Sequence, residues 1–331
     1  AAVPVAMLVV FLTWPALLHA QQGAPGGTWP AYGGDAGSTK YAPLDQINRD
    51  NVEQLQVVWR WTTSDASVLS ANDLGVGGFK ATPIMVDGVL YIRTSLSIVT
   101  AIDAATGEQL WEFDPRSWET GRPTNLGFNS RGVAFWSDGA SEHIFVATGD
   151  AHLWALNAGT GRPVDAFGAD GRIDLTASLR RTVSRRSYQV ISPPLVVGDV
   201  VVVGSSISDG PRYMTAPPGD VRAFDVRTGE ERWRFNTVPE KDEYGIETWE
   251  GNSWFYTGNT NVWSIMSADL DLGYVYLPVG TPTNDWYGGH RLGDNLFAES
   301  LVAVDASTGE RVWHYQLVHH GLWDYDIPAA P

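Results

Sequence analysis

Short runs rich in Val, Ile and Leu alternate along this chain with Asp-Gly, Gly-Asp and Thr-Gly pairs. PIMVDGVLYIR from Pro83, EHIFVATGD from Glu142, PPLVVGDVVVVGSS from Pro193 and LGYVYLPVG from Leu272 all read as strands ending at tight turns. No long stretch carries a convincing helical period, and a short helix is expected only around Asn48 to Leu55. A strand should then end in Trp59 and Trp61.

A second pattern follows those runs. Ala101 to Trp111 reads AIDAATGEQLW, Ala223 to Trp233 reads AFDVRTGEERW, and Ala303 to Trp313 reads AVDASTGERVW. A degenerate copy, ALNAGTGRPVD, spans Ala155 to Asp165, with Asn157 in place of Asp and Asp165 in place of Trp. Each copy predicts a hairpin: an apolar strand enters, Asp accepts backbone hydrogen bonds, Gly takes a positive φ, and the return strand ends in Trp. The copies start 54, 68 and 80 residues apart, enough for a four-stranded sheet plus loops of varying length. A Trp at a fixed place in repeated four-stranded sheets predicts an all-β propeller, each Trp wedged between neighbouring blades. Four to five blades are expected here, as the N-terminal part of a larger ring.

The 331 residues include 15 Trp and 35 Gly, in keeping with many short strands and turns. A formal charge of −16 argues against nucleic acid as a partner and favours a small neutral substrate. There are no cysteines, which excludes disulfides, Cys-type zinc sites and thiol catalysis. Ala1 to Ala20 is apolar and is followed by QQGAPGG, so residues 1–20 are expected to be a secretory leader cleaved after Ala20, truncated at its start, or a membrane anchor. Residues 21–331 then form the propeller domain, outside the cytoplasm.

The repeats, together with TWEGNSWFYTGNTNVW (Thr248 to Trp263) and VHHGLWDYDIPAAP (Val318 to Pro331), resemble the pyrroloquinoline quinone (PQQ)-dependent alcohol and sugar dehydrogenases, most closely the glucose dehydrogenase branch. The resemblance covers Trp29 to Pro331. It implies an eight-bladed propeller with PQQ and a metal ion on its axis. It also implies a periplasmic enzyme, with peripheral membrane association a further expectation, that oxidises a small alcohol or sugar hydroxyl and passes electrons to ubiquinone or cytochrome c.

By the same resemblance Asp324, eleven positions after Trp313, is the general base that takes the hydroxyl proton. Trp263 is the floor under the quinone, Arg131 pairs with its acid groups, and Thr148 and Ser206 contact it. Asp209, Asp324, Asp326 and Thr281 are the metal ligands. Asp326 lies two residues beyond Asp324, so in an extended stretch both carboxylates face one side. Calcium or magnesium is the default ion, with a lanthanide as the alternative that D-Y-D raises in methanol-oxidising relatives. Three departures stand out: no vicinal cysteines precede Arg131, Lys80 replaces a Glu that contacts the quinone, and Thr281 replaces a metal-binding Asn. Lys80 is thereby a cofactor-binding candidate. His319-His320 is not expected to bind one ion, and LRRTVSRR (Leu179 to Arg186) is expected to be a solvated loop. The contrasting reading is a non-enzymatic propeller of the same repeat, serving as an outer-membrane assembly scaffold with nothing on its axis.

Overall fold

The computed structural model describes residues 23–75, 77–208 and 214–331; the expected leader lies outside them. Sixteen strands form four antiparallel sheets of four. Blade 1 comprises Ile84–Val86, Val89–Arg93, Val99–Asp103 and Gln109–Phe113. Blade 2 comprises Ala134–Ser137, Glu142–Ala147, His152–Asn157 and Arg172–Asp174. Blade 3 comprises Leu195–Val197, Val200–Val203, Val221–Asp225 and Glu231–Phe235, and blade 4 Ser267–Asp269, Tyr274–Pro278, Ser300–Asp305 and Arg311–Gln316. Successive strands pair in chain order, so every blade is a meander.

The repeat folds as its residue types require. In blade 1, Asp103 Oδ1 accepts from the backbone N–H of Ala105 at 3.0 Å and of Thr106 at 2.8 Å, and Gly107 follows at φ 76°. Asp225 and Asp305 repeat this turn, with Gly229 at φ 74° and Gly309 at φ 72°. These glycines are fixed twice over. A methyl group on Gly309 would lie 2.7 Å from the Trp233 ring, and one on Gly161 2.5 Å from Trp111. Each tryptophan caps the contact by donating its indole N–H to the next blade, Trp111 to Ala158 O and Trp233 to Ala306 O, both at 2.8 Å.

The strand expected to end in Trp59 and Trp61 does not form, yet Trp59 makes the same contact. Its indole N–H reaches Ala104 O at 3.1 Å, and a methyl on Gly107 would meet its ring at 2.6 Å. Val57 and Val58 beside it are exposed. Apolar clusters fill the gaps between blades, as where Tyr91, Val99 and Ala101 meet Ile144, Val146 and Trp154.

Three further expectations are corrected. The degenerate copy turns at Asn157 and Gly161, but its return chain makes only the Leu156–Pro163 bridge, and the outer strand starts at Arg172. Pro163 cannot donate to a ladder, and Asp165 has no ring to dock. Near Asn48 only a single turn, Val52–Gln54, forms, because the segment is largely exposed and has no face to bury. The α-helix is instead Asp65–Ala71, where Val68 and Leu69 pack against Leu96, Ile98 and Phe128. Lastly, Leu179–Arg186 is a clamp and not a solvated loop. Arg180 bonds Asp220 at 3.1 Å, Arg181 reaches the carbonyls of Ala216, Tyr256 and Thr257, and Arg185 pairs with Asp174. Among the described residues, no helix is long and apolar enough to cross a membrane.

Two outcomes follow for stability. Trp233→Ala removes a buried indole and its bond to Ala306, and is expected to cost about 3–5 kcal/mol in urea unfolding of the full-length protein. For Asp225, partial burial pushes the carboxyl up, but the bond from Arg232 and the N–H groups of Thr228 and Arg227 outweigh this and hold it at about 2. Its folded value is depressed, so its contribution is present above the ordinary carboxylate range and is lost as pH falls toward 2. Asp225→Asn should flatten that acid limb in unfolding midpoints measured against pH.

Candidate axial cofactor and metal site

The connectors that enter the blades carry the candidate chemistry. Lys80, Arg131, Ser192 and Trp263 each stand three or four residues ahead of an innermost strand. They are laced together by backbone bonds: Lys80 N to Ser130 O at 3.2 Å, Arg131 N to Ile191 O at 2.8 Å, and Ser205 N to Val262 O at 3.1 Å. Ser192 Oγ adds a bond of 2.5 Å to Trp263 O. The inner ends of the four blades are thus laced together in series.

Trp263 joins the basic and acidic sides of this series. The Arg131 guanidinium lies over its ring, 5.0 Å from the centroid, while its indole N–H donates to Asp326 Oδ2 at 2.6 Å. Asp326 Oδ1 accepts from Thr281 N at 2.6 Å, and a methyl on Gly280 would come within 2.5 Å of that oxygen. Arg131 Nη1 is buried without a hydrogen-bond partner. Burial lowers the pKa of this guanidinium, opposed by Tyr32.

Asp324 is exposed, and its carboxyl is raised by desolvation and then by the Asp326 charge. The D-Y-D stretch is not extended as expected. Asp324 has φ 55°, which turns the chain so that Asp326 points inward while Tyr325 and Trp323 stay exposed. Thr281 is buried beside Asp326, and Lys80 is exposed at the rim. The buried Thr148 hydroxyl donates to Asp150 Oδ1 at 2.5 Å, and Asp150 also bonds His152 Nδ1 at 2.9 Å. Ser206 is buried and accepts from Asn125 Nδ2 at 3.0 Å. Asp209 lies outside the described residues. His320 turns its ring to Gly293 O at 2.9 Å.

Two residues here escaped the sequence reading. Glu299 is fully buried, with Oε1 3.5 Å from Thr281 Oγ1 and Oε2 lacking any hydrogen-bond partner. Burial first, and the Asp326 charge after it, push its carboxyl up to about 7 against the pull of Arg291. Arg291 is equally buried and spends its bonds on Asn295 Oδ1 (2.7 Å), Asn284 O (3.1 Å) and Gly321 O (2.7 Å). It thereby fixes the loop that leads to Asp324. The signal for Glu299 was available in the repeat, because the other copies carry Ser97, Ala151 and Gly219 four residues before the repeat Ala.

These residues fit a flat polyanion beside a hard cation. The unpartnered Arg131 N–H next to an indole face suits a planar carboxylate. Among the described residues, no three acidic or histidine side chains converge to hold an ion by themselves. Two carboxylates bracketing a threonine still offer the oxygen donors that calcium or magnesium requires.

Comparison with known proteins identifies the family and the fold. Residues 29–331 match the family described as "PQQ: Glucose/ethanol/alcohol dehydrogenase, beta-propeller domain". The chain is 33% identical to quinoprotein glucose dehydrogenase of Gluconobacter oxydans, aligning 93% of this chain with 39% of that protein. It is also 33% identical to quinate/shikimate dehydrogenase (quinone) of Acinetobacter baylyi, over 92% of this chain and 39% of the relative. The solved quinohemoprotein alcohol dehydrogenase of Comamonas testosteroni superposes with a TM-score of 0.75 at 30% identity, over 92% of this chain and 43% of that one. The chain therefore spans about two fifths of the relatives it matches. With four meander blades, Trp-docking repeats and this match over nearly its whole length, the chain belongs to the β-propeller domain family of PQQ glucose, ethanol and alcohol dehydrogenases.

Proposed function

We propose that this protein is a PQQ-dependent dehydrogenase that oxidises the hydroxyl of a small sugar, polyol or alcohol outside the cytoplasm. The observation that carries the reading is the Arg131–Trp263–Asp326 array, in which one indole presents its face to a guanidinium and its N–H to a carboxylate. A propeller serving only as an assembly scaffold has no use for a buried guanidinium N–H left without a hydrogen-bond partner beside that indole.

PQQ, when bound, supplies the acceptor for the two electrons and the hydrogen leaving the substrate carbon. Trp263 carries its flat face, and Arg131 neutralises a carboxylate. Ser206 and the exposed Lys80 are further contacts in this proposal. Thr148 belongs to it through the network it forms with Asp150 and His152. Asp324 takes the substrate hydroxyl proton, and its exposure leaves it reachable from solvent. Its raised pKa makes it a stronger base than an ordinary aspartate. Asp326, Thr281 and Asp209 would hold calcium or magnesium, with a lanthanide as the alternative, to supply positive charge beside the quinone.

The relatives named for glucose and for alcohol support a hydroxyl-bearing carbon as the reacting centre. Electrons leave to a quinone or a cytochrome in another protein or another part of this one. The acidic chain suits a neutral substrate better than an anionic one.

The test is calorimetric PQQ binding to the full-length protein with calcium, magnesium or lanthanum supplied in turn, followed by dye-linked oxidation. Asp324→Asn should still bind PQQ but lose about 100- to 10,000-fold in turnover. Arg131→Ala should weaken PQQ binding by about 10- to 100-fold, as expected for loss of a charged hydrogen-bonding partner. Absence of PQQ binding under every metal would remove the proposal.

A further inference from the structure

We propose that Glu299 is a ligand of the axial metal ion, supplying with Asp326 the oxygen charge that Thr281 alone does not bring. This rests on the axial site being the metal site of the proposed dehydrogenase, and it adds a residue to that site.

The backbone gives the first reason. The residue four before the repeat Ala is left-handed at Ser97 (φ 70°), Ala151 (φ 64°) and Glu299 (φ 46°), while the remaining blade has Gly219 there without a positive φ. Such a conformation disfavours a side chain by roughly 1–2 kcal/mol, so small residues suit it. Three blades fold without a carboxylate at this place. Blade architecture therefore does not account for Glu299, and a function can.

Burial gives the second. Glu299 is fully enclosed, Oε2 has no hydrogen-bond partner, and the carboxylate is met only by the Tyr325 backbone N–H and by the long 3.5 Å approach of Oε1 to the Thr281 hydroxyl. The nearby cation Arg291 directs its Nη atoms to other oxygens, so its charge opposes the burial of the acid without a direct hydrogen-bonded pair. A second carboxylate, Asp326, raises the cost further by like-charge repulsion. Two acids are left facing one residue from two sides, Asp326 Oδ1 at the Thr281 N–H and Glu299 Oε1 at its hydroxyl. A cation bound by both carboxylates would remove the repulsion and supply the missing partner.

Close packing fixes where the acid can be. A methyl on Gly321 would fall 1.6 Å from Glu299 Oε2, so only glycine at that point admits the carboxylate beneath the loop leading to Asp324. Thr281 offers one neutral hydroxyl, a weak ligand by itself. Glu299 adds a charged oxygen pair beside it, and calcium, which takes six to eight oxygens, uses carboxylates readily.

The experiment is calcium titration calorimetry on the metal-stripped full-length protein, with and without PQQ, alongside thermal melts. Glu299→Gln should weaken calcium binding by at least about 30-fold, while Glu310→Gln, on an exposed turn, should leave it unchanged. Adding Thr281→Asn to Glu299→Gln supplies an amide oxygen and should recover part of the loss. Should Glu299→Gln fail to fold, Glu299→Asp keeps the charge on a shorter arm, and weakened calcium binding by that folded variant would support the assignment equally. Unchanged affinity in a folded Glu299 variant, with a melting point lowered equally with and without calcium, would overturn the assignment and make Glu299 a structural acid. If the wild-type protein binds PQQ but no metal, the inference falls together with the metal part of the proposed function. Failure in the variants alone leaves that reading intact.

Discussion

The contact between a blade tryptophan and the glycine of the next blade's turn is the constraint on which the rest depends. An indole can lie flat there only because Gly107, Gly161 and Gly309 have no side chain, and it is locked by its N–H to a carbonyl three residues before the glycine. The contact sets how closely adjacent sheets approach at their outer edges. Apolar clusters between blades then fill a gap whose width is already fixed. With outer edges and interfaces determined, the inner connectors have one place to go, side by side at the inner ends of the blades, where Arg131, Ser192 and Trp263 meet.

How much of this was legible follows from the range of each interaction. The Asp-Thr-Gly turn is complete within seven residues, so its Asp, its glycine and the hairpin it makes could be read from any single copy. Trp59 docks as a blade tryptophan without a repeat around it, because docking needs only the indole and the next turn. Two candidates on the axis, Trp263 and Asp326, are in direct contact despite lying 63 residues apart. Resemblance could supply that pairing, whereas periodicity could not. Exposed Asn48 to Leu55 shows the opposite failure, since a plausible local pattern with nothing to bury against does not become a helix.

Basic and acidic residues misled where their partners were distant. The Arg-rich segment looks solvated from its own neighbours, yet Asp220 lies 40 residues from Arg180 and neutralises it from another blade. Glu299 was passed over for a related reason. It falls between the loop and the apolar strand of a repeat, where attention goes to the turn that follows. Comparison of the copies isolates it, because a large charged residue at a left-handed position breaks a local rule without local compensation.

Charge is distributed unevenly around the axis. Blades 1 and 2 contribute Arg93, Arg131 and Lys80, whereas blade 4 and the chain after it contribute Glu299, Asp324 and Asp326. Arg93 is fully buried with Nε and Nη1 unpartnered, and burial brings it down to about 9 although Asp150 opposes the shift. An anion placed across such a field would be favoured with its charged groups toward the arginines, and turning it over would set like charges together at a cost magnified by the low dielectric of a buried site. The two poles meet at Trp263, whose face serves the cationic side and whose N–H serves the anionic side. Replacing that indole with phenylalanine would preserve a flat surface but release Asp326 from its short bond, so shape and charge at this site are carried by the same ring.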